Sequence, residues 1–436
     1  MKQNLQKSSW PKVRKFLTDI HLWIGLASGL VVLLICLSGT IYVYNTEIRE
    51  QSQPELYHVK PSAGSSRLSA EEIIARVSNE APGRVISIKI PSNPKRSYIL
   101  SVKKEEASAP ASDEPGNGTR GEKREEGRRD KSGKGNVKPA PGGAPAGPAR
   151  GTQYFVDPYT GKILGNSQEK TVVSEFMGYM FSLHRWLLLD KIENPLFGEL
   201  PNKTLGSYIS GTATILFTLG VITGFIIWFP QRVKNWKQGL RIKWNANWKR
   251  VNHDLHNSLG FYSCIFLFLM GITGPQWSFP WYREALRKTL GTYQAADAPK
   301  PETPKSILPG DHNTQTLTIN DYVKASDQCL KYQGDNLVTL PADSSEAVSV
   351  SKTKTGFFAP AAADKLLLDQ YTATVIQADI FKDKPFNERV SNSIKAIHVG
   401  DVYGSFTKLL YFLTCLVATS LPVTGTLIWI NKLKKR

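Results

Sequence analysis

Four long apolar stretches interrupt an otherwise polar chain of 436 residues. Each stretch lacks Asp, Glu, Lys and Arg, and as a helix each can cross a hydrocarbon layer of about 30 Å. The pattern therefore predicts four transmembrane helices, at residues 20–45, 205–230, 256–281 and 409–430. The first stretch is too long for a signal peptide and no A-x-A cleavage pattern follows it, so we interpret it as an uncleaved helix.

The polar region between the first two stretches, residues 46–204, has the pattern of a small α+β unit. Residues 68–77 place apolar side chains at helical spacing behind Ser69, a good N-cap residue. Alternating apolar and polar positions predict strands at 84–91 and 96–102, and a D-P-Y-T-G turn predicts a hairpin at 153–165.

An insertion interrupts this unit at residues 103–150. It is rich first in Glu, Lys and Arg and then in Pro, Gly and Ala, with almost no large apolar side chain. Such a segment cannot bury enough apolar surface to fold, so we predict that it is disordered.

The second polar region, residues 282–408, repeats the same pattern. It predicts a helix at 318–328, a strand at 347–353 and a hairpin at 364–377. In this second hairpin Ala373 stands at the turn position that Gly161 holds in the first. Neither region contains a catalytic triad, a P-loop or a metalloprotease motif, which argues against hydrolytic chemistry.

Matching segments recur in the same order in the two halves of the chain, which indicates an internal duplication. The unit is a cytoplasmic histidine, an outward helix, an external lobe, an external histidine and an inward helix. A parallel duplication of this kind predicts a pseudo-twofold axis along the membrane normal. The matching segments are DIHLWIGL (19–26) with DLHNSLGF (254–261), VDPYTGKIL (156–164) with LDQYTATVI (368–376), and VITG (221–224) with PVTG (422–425).

The sequence thus predicts a mainly α membrane protein, a four-helix bundle built from a 2+2 duplication, with two α+β lobes outside the membrane.

The net charge of +18 first suggests a nucleic-acid partner, but its distribution does not. Five Lys or Arg lie in residues 1–19, seven lie between 231 and 252 without any acid, and four lie in 431–436.

Cations that flank transmembrane helices in this way mark the cytoplasmic side. We therefore expect both termini and the loop 231–255 in the cytoplasm, and the two lobes, 46–204 and 282–408, in the periplasm. The localisation that follows is the inner membrane of a bacterium, with the lipid bilayer as a partner and no nucleic acid.

Five of the seven histidines lie at the ends of the predicted membrane helices. Ionisable groups at such positions are candidates for function because they are costly in a membrane. The duplication pairs His21 with His256 at the cytoplasmic face and His184 with His398 at the outer face. His253, three residues before His256, could replace or support it. We interpret the remaining two, His58 and His312, as surface residues.

Two imidazoles that face each other across a bundle suit a low-spin haem iron with two axial ligands. Gly25 and Gly260 each follow their histidine by four residues, on the same helix face, where a missing side chain lets a flat macrocycle approach. Zinc is the alternative metal, but it requires three or four close ligands, and each pair offers two. A c-type haem is excluded because the chain has no C-x-x-C-H motif.

Several motifs resemble those of the PepSY-associated transmembrane proteins, over nearly the whole chain apart from 103–150. This family includes iron-regulated inner-membrane proteins and haem-containing ferric-siderophore reductases. The motifs are HLWIGLASGLVVLLICLSGTIYVY, VDPYTGKILG, LHRWLLL, DLHNSLGFY, IHVGDVYG and PVTGTLIWI.

The resemblance implies PepSY-like external lobes and two b-type haems whose iron is bound by His21, His184, His256 and His398. The implied activity is a haem-dependent oxidoreductase that passes electrons from a quinol or a cytoplasmic reductase to a periplasmic ferric siderophore and releases Fe(II). Two alternatives stay open. One is a quinone-linked reductase of another periplasmic substrate, and the other is a non-redox PepSY module that binds peptides or assists a transporter.

Overall fold

The computed structural model describes residues 10–104, 151–229, 236–295, 297–299, 302–309 and 317–434. All but the first two residues of the predicted insertion 103–150, and also His312, lie outside this part of the chain.

The described residues form twelve α-helices and eight β-strands, with short 3-10 turns at Leu189–Lys191, Pro275–Trp277 and Phe381–Asp383. The helices are α1 (Trp10–Tyr42), α2 (Asn45–Ser52), α3 (Pro54–Tyr57), α4 (Ala70–Glu80), α5 (Val172–Trp186), α6 (Asn202–Trp228), α7 (Trp236–Gly239), α8 (Trp248–Thr273), α9 (Pro280–Thr289), α10 (Ile319–Cys329), α11 (Phe386–Val399) and α12 (Gly404–Leu433). The strands are β1 (Arg84–Ile90), β2 (Tyr98–Lys103), β3 (Thr152–Val156), β4 (Ile163–Asn166), β5 (Gly334–Thr339), β6 (Val348–Lys354), β7 (Ala363–Leu368) and β8 (Val375–Asp379).

The four helices α1, α6, α8 and α12 are long and apolar enough to cross a bilayer. Helix α1 packs against α6 and α12, and α8 packs against the same two helices, so that the four form a bundle. Large apolar side chains point away from the bundle, such as Leu30, which is 71% exposed, and Ile265, which is 67% exposed. A surface of this kind is stable in lipid, and the chain is a membrane protein.

All eight strands join in one antiparallel sheet, in the order β4-β3-β2-β1-β5-β6-β7-β8. The sequence predicts two external lobes, whereas the structure joins their strands at the β1–β5 pair, where Ile88 lies opposite Val338. This pairing provides hydrogen-bond partners for the backbone N–H and C=O groups on the edges of β1 and β5, which would otherwise be unpaired.

One face of the sheet is covered by α4 and α10, which bury an apolar core that runs across both halves. Each of these helices begins at a capping box, Ser69 with Glu72 in α4 and Thr318 with Asp321 in α10. A capping box satisfies backbone N–H groups that have no partner within the helix, which explains why both helices start where the sequence predicts.

The outer histidines lie on short helices that precede the membrane helices. His184 is near the end of α5, which terminates at Leu187 and Leu188, both with positive φ of 55° and 63°. The sequence predicts His398 at the outer end of the fourth membrane helix, but the structure places it at the end of a separate helix, α11. Gly400, with φ of 78°, terminates α11 before α12 begins, because glycine adopts this left-handed conformation without steric cost.

Candidate functional site

An inner pair of histidines lies between α1 and α8, each of which packs against both α6 and α12. His21 of α1 and His256 of α8 have ring centres 6.2 Å apart, with the ring planes at 79°. Both line a cavity of about 280 Å³ whose walls come from α1, α6, α8 and α12. The cavity therefore lies on the central axis of the bundle, with two imidazoles facing each other across it.

An outer pair repeats this arrangement at the other end of the bundle. His184 of α5 and His398 of α11 have ring centres that are also 6.2 Å apart, with planes at 60°. They line a second cavity of about 140 Å³. Val32, Phe217 and Leu267 line both cavities, so a single apolar layer separates them.

Hydrogen bonds to Nδ1 fix the inner rings. His21 Nδ1–H donates to the carbonyl oxygen of Gly220 at 3.0 Å and to Thr223 Oγ1 at 3.1 Å. His256 Nδ1 lies 2.9 Å from Thr424 Oγ1, whose own hydrogen is donated to the carbonyl of Ser420. A carbonyl oxygen can only accept, so His21 carries its proton on Nδ1 and its Nε2 keeps the lone pair. A Thr424 hydroxyl that donates to Ser420 accepts from His256 Nδ1–H, which assigns the same tautomer to His256.

The outer rings are fixed in the same way. His184 Nδ1–H donates to the carbonyl oxygen of Ile35 at 2.9 Å, and His398 Nδ1–H donates to that of Met270 at 3.2 Å. Thr273 Oγ1 is a second acceptor for His398, at 3.1 Å. In the part of the chain that the structure describes, the Nε2 atoms of the four paired histidines have no hydrogen-bond partner, so all four are available as metal ligands.

Four glycines bring the helix backbones against these rings. A Cβ atom at Gly39 would lie 3.0 Å from His184, and one at Gly224 would lie 3.0 Å from His21. At Gly274 and Gly425 the distances to His398 and His256 would be 3.3 Å and 3.2 Å. Each ring is thus held between its Nδ1 acceptor and a glycine of a neighbouring helix.

Gly25 and Gly260, which the sequence singles out, have a different environment. Both line the inner cavity. A Cβ atom at Gly25 would meet nothing within 4 Å, and one at Gly260 would come no closer than 3.8 Å to Leu421. They leave open space on the side of the cavity, next to His21 and His256.

Burial keeps the outer pair neutral. The pKa of His184 and the pKa of His398 both lie below the ordinary value, because burial disfavours the charged ring. Charge on the neighbouring histidine lowers the pKa of His398 further. Neutral imidazole is the form that binds a metal, so the outer pair is ready to act as a ligand pair at neutral pH.

The two other histidines of the described residues, His253 and His58, do not belong to these pairs. His253 lines the inner cavity, but its side chain is 48% exposed and contacts Asp254 and Asn257. The structure therefore brings His256, and not His253, to face His21. His58 lies on the sheet side, with its Nε2 at 2.9 Å from Glu50 Oε1.

The residues that accept from the Nδ1 atoms or pack against the rings are ones to which the sequence assigns no role. The motifs VITG and PVTG each supply a threonine that accepts from a ring and a glycine that packs against it, Thr223 with Gly224 and Thr424 with Gly425. The two motifs recur at matching positions in the two halves of the chain, and this recurrence could have identified their threonines and glycines from the sequence.

Each site offers two imidazole nitrogens. Within the described residues, no group of three or more His, Cys, Asp and Glu side chains could hold a metal ion. A zinc ion takes three or four protein ligands, so these pairs suit a metal whose other ligands belong to a cofactor.

One comparison identifies the chain's relatives. Residues 18–432 match the family described as the PepSY-associated TM region. No curated protein matches the chain significantly. The match covers nearly all of the chain, from within the first membrane helix to the last turn of the fourth, and it confirms the resemblance found in the sequence motifs. The chain belongs to the PepSY-associated transmembrane family.

Proposed function

We propose that this protein is a di-haem b oxidoreductase of a bacterial inner membrane. It passes electrons across the bilayer to a periplasmic ferric siderophore and releases Fe(II) for uptake. The observation that carries the proposal is the presence of two facing histidine pairs, each with ring centres 6.2 Å apart, at opposite ends of one membrane bundle.

The ring spacing fits an iron atom between the rings. A metal–imidazole bond is about 2 Å long, and each Nε2 lies about 1 Å from its ring centre, so two rings on one metal have centres about 6 Å apart. The open space beside Gly25 provides a place for a flat macrocycle next to the inner pair. His21 and His256 would hold the inner haem, and His184 and His398 the outer one.

The protein side chains would orient the ligands and exclude water. The Nδ1 hydrogen bonds fix the tautomer and make each imidazole a stronger ligand, as acceptors that bind the far nitrogen of a histidine ligand do in metal sites generally. Haem, when bound, supplies one-electron transfer. The apolar layer of Val32, Phe217 and Leu267 would keep water out of the space between the two sites.

The two sites lie far enough apart to span most of the membrane and close enough to exchange electrons. His184 binds the carbonyl of Ile35, which is fourteen residues after His21 in α1. Met270 is likewise fourteen residues after His256 in α8. At about 1.5 Å per residue, this separation is about 21 Å along the bundle axis.

The same correspondence supports the internal duplication. His21 forms a hydrogen bond with Thr223 of α6, and His256 forms the matching one with Thr424 of α12. His184 and His398 form hydrogen bonds with the backbone carbonyls of Ile35 in α1 and Met270 in α8, which lie at the same position along the two helices. We propose that the halves arose by duplication, that both termini are cytoplasmic and that the sheet is periplasmic. The basic segments next to the helices support this orientation.

The proposed reaction transfers one electron to each Fe(III) and forms one Fe(II). Fe(II) is a softer ion than Fe(III) and binds hard oxygen ligands less tightly, so reduction favours release from the siderophore. The electron donor in this proposal is a quinol or a cytoplasmic reductase.

Anaerobic mixing tests the activity directly. The detergent-purified protein is reduced chemically, freed of excess reductant and mixed with a ferric trihydroxamate chelate while the visible spectrum and Fe(II) trapping are followed. We expect reoxidation with one Fe(II) per electron, and loss of this reaction in His398→Ala. His58→Ala is the matched control, because His58 lies outside both cavities.

Reduced protein that is not reoxidised by the ferric chelate would contradict the proposed substrate. If another periplasmic acceptor reoxidises the protein, the result would favour the quinone-linked alternative.

A further inference from the structure

A buried polar pair distinguishes the second half of the sheet from the first. In the β1–β2 hairpin, which has a bulge between Val85 and Ser87, Val85 lies opposite Val102, and both are buried. At the equivalent place in the β5–β6 hairpin, Asn336 lies opposite Lys352, and only 6% and 3% of these residues are exposed. The first hairpin shows that an apolar pair is compatible with this position of the fold.

Burial of these two side chains has an energetic cost. An ammonium group and an amide lose their hydration when they enter an apolar core, and hydrogen bonds only partly offset the loss. Lys352 Nζ donates to Asp327 Oδ1 and to the carbonyl of Leu330, each at 2.7 Å. The Asn336 amide makes no hydrogen bond in the described residues, and its Oδ1 is buried without a partner. A buried amide without a hydrogen bond destabilises the fold, so stability does not explain why Asn336 is present in the core.

A cavity of about 580 Å³ lies beside this pair, and both Asn336 and Lys352 line it. The cavity lies where the β1–β5 pairing ends, at Ile90 opposite Asn336. Pro91 follows, and since proline has no N–H, the strand cannot continue the ladder. Gly334, the buried first residue of β5, also lines the cavity.

The wall of the cavity is cationic. Arg67, Lys331 and Lys352 contribute three positive charges, and Asp327 contributes the one negative charge, so the lining has a net charge of two. The Arg67 guanidinium lies over the Tyr98 ring at 5.6 Å, which holds it in place. In the described residues neither Arg67 nor Lys331 forms an ion pair with a carboxylate.

We propose that this cavity binds a small hydroxycarboxylate. Arg67 and Lys331 would bind its carboxylates, since charge-assisted hydrogen bonds are the strong ones. The hydroxyl group of the hydroxycarboxylate would form a hydrogen bond with the Asn336 amide, so that the amide would no longer be buried without a partner. The cavity lies in the sheet and shares no lining residue with the two histidine cavities, so the proposal is independent of haem binding.

Calorimetric titration of the detergent-purified full chain tests this proposal with two probes. Citrate and tricarballylate both carry three carboxylates, but only citrate has a hydroxyl group. We expect the protein to bind citrate about five-fold more tightly, the effect of one hydrogen bond that would otherwise be left unmade.

Two variants and one control separate the contributions. Arg67→Gln combined with Lys331→Gln should weaken the binding of both probes by at least about ten-fold, because two charge-assisted contacts are lost. Asn336→Val, which installs the residue that the first hairpin has, should bind citrate no better than tricarballylate. Lys95→Gln, an exposed change in the β1–β2 turn outside the cavity, should bind both probes like the unmodified protein.

The proposal is overturned if the unmodified protein binds neither probe. It is also overturned if Lys95→Gln weakens binding as much as the double variant, or if Asn336→Val keeps the preference for citrate. Visible spectra recorded on the same samples report the haem sites separately, so failure here and failure of the redox proposal are distinguishable.

Discussion

The contact between Gly39 and His184 gives a quantitative test of how the outer site is built. Gly39→Ala would place a Cβ atom 3.0 Å from both Cε1 and Nδ1 of His184, where ordinary contact begins at 3.4 Å. The ring must therefore move away by a few tenths of an ångström. Its hydrogen bond to the carbonyl of Ile35, now 2.9 Å, would lengthen.

The expected magnitude follows from two opposing effects. Overpacking of this kind costs about 1–3 kcal/mol. Alanine stabilises a helix relative to glycine by about 1 kcal/mol, which partly offsets the cost. Gly178→Ala is the matched control, because Gly178 lies in α5 with His184 and a Cβ atom there would meet nothing within 4 Å.

Equilibrium unfolding by guanidinium in detergent measures the difference. We expect Gly178→Ala to be more stable than the unmodified protein and Gly39→Ala to be about 1–3 kcal/mol less stable than Gly178→Ala, which isolates the steric contact. Equal stability of the two variants would refute the tight packing of the ring against α1.

Three further predictions concern other parts of the molecule. Thr424→Val removes the acceptor of His256 Nδ1 and should cost about 1 kcal/mol of unfolding free energy, which Thr424→Ser should restore. Ala373→Gly should raise the free energy of unfolding by about 1 kcal/mol, because Ala373 has φ of 54°. In the folded, haem-free protein the pKa values of His184 and His398 are lowered. These two histidines therefore bind protons in the unfolded state, and not in the folded state, as the pH falls below about 6.5. The guanidinium concentration at the unfolding midpoint should therefore decrease between pH 7.5 and pH 5.

The membrane helices and the capped helices are features that local sequence determines strongly. Charge-free stretches longer than a bilayer have few other stable conformations, and the structure has a long apolar helix at each of the four. Ser69 lies before an amphipathic pattern, and α4 begins directly after it.

The single sheet was not predictable from these patterns. Strand β5, GDNLVT, contains only two large apolar residues, and its sequence pattern predicts no strand there. Its pairing with β1 joins residues that are far apart in sequence. Alternation shows which side of a strand is buried, but it does not show which edges meet.

The candidate site was predictable in part. The repeated order of motifs places His21 with His256 and His184 with His398, and the structure brings the rings of each pair to 6.2 Å. The Nδ1 acceptors depend on which helices pack together, as in the bond from His184 to Ile35. Sequence spacing alone contains no information about these contacts.

The most direct test of the proposed function is a reduced-minus-oxidised visible spectrum of the detergent-purified protein, with haem quantified per chain. We predict two b-type haems, with one lost in His21→Ala, one lost in His398→Ala and none lost in His58→Ala. A colourless protein, or one whose haem content does not change in His21→Ala and His398→Ala, would contradict the assignment of these histidine pairs as haem ligands.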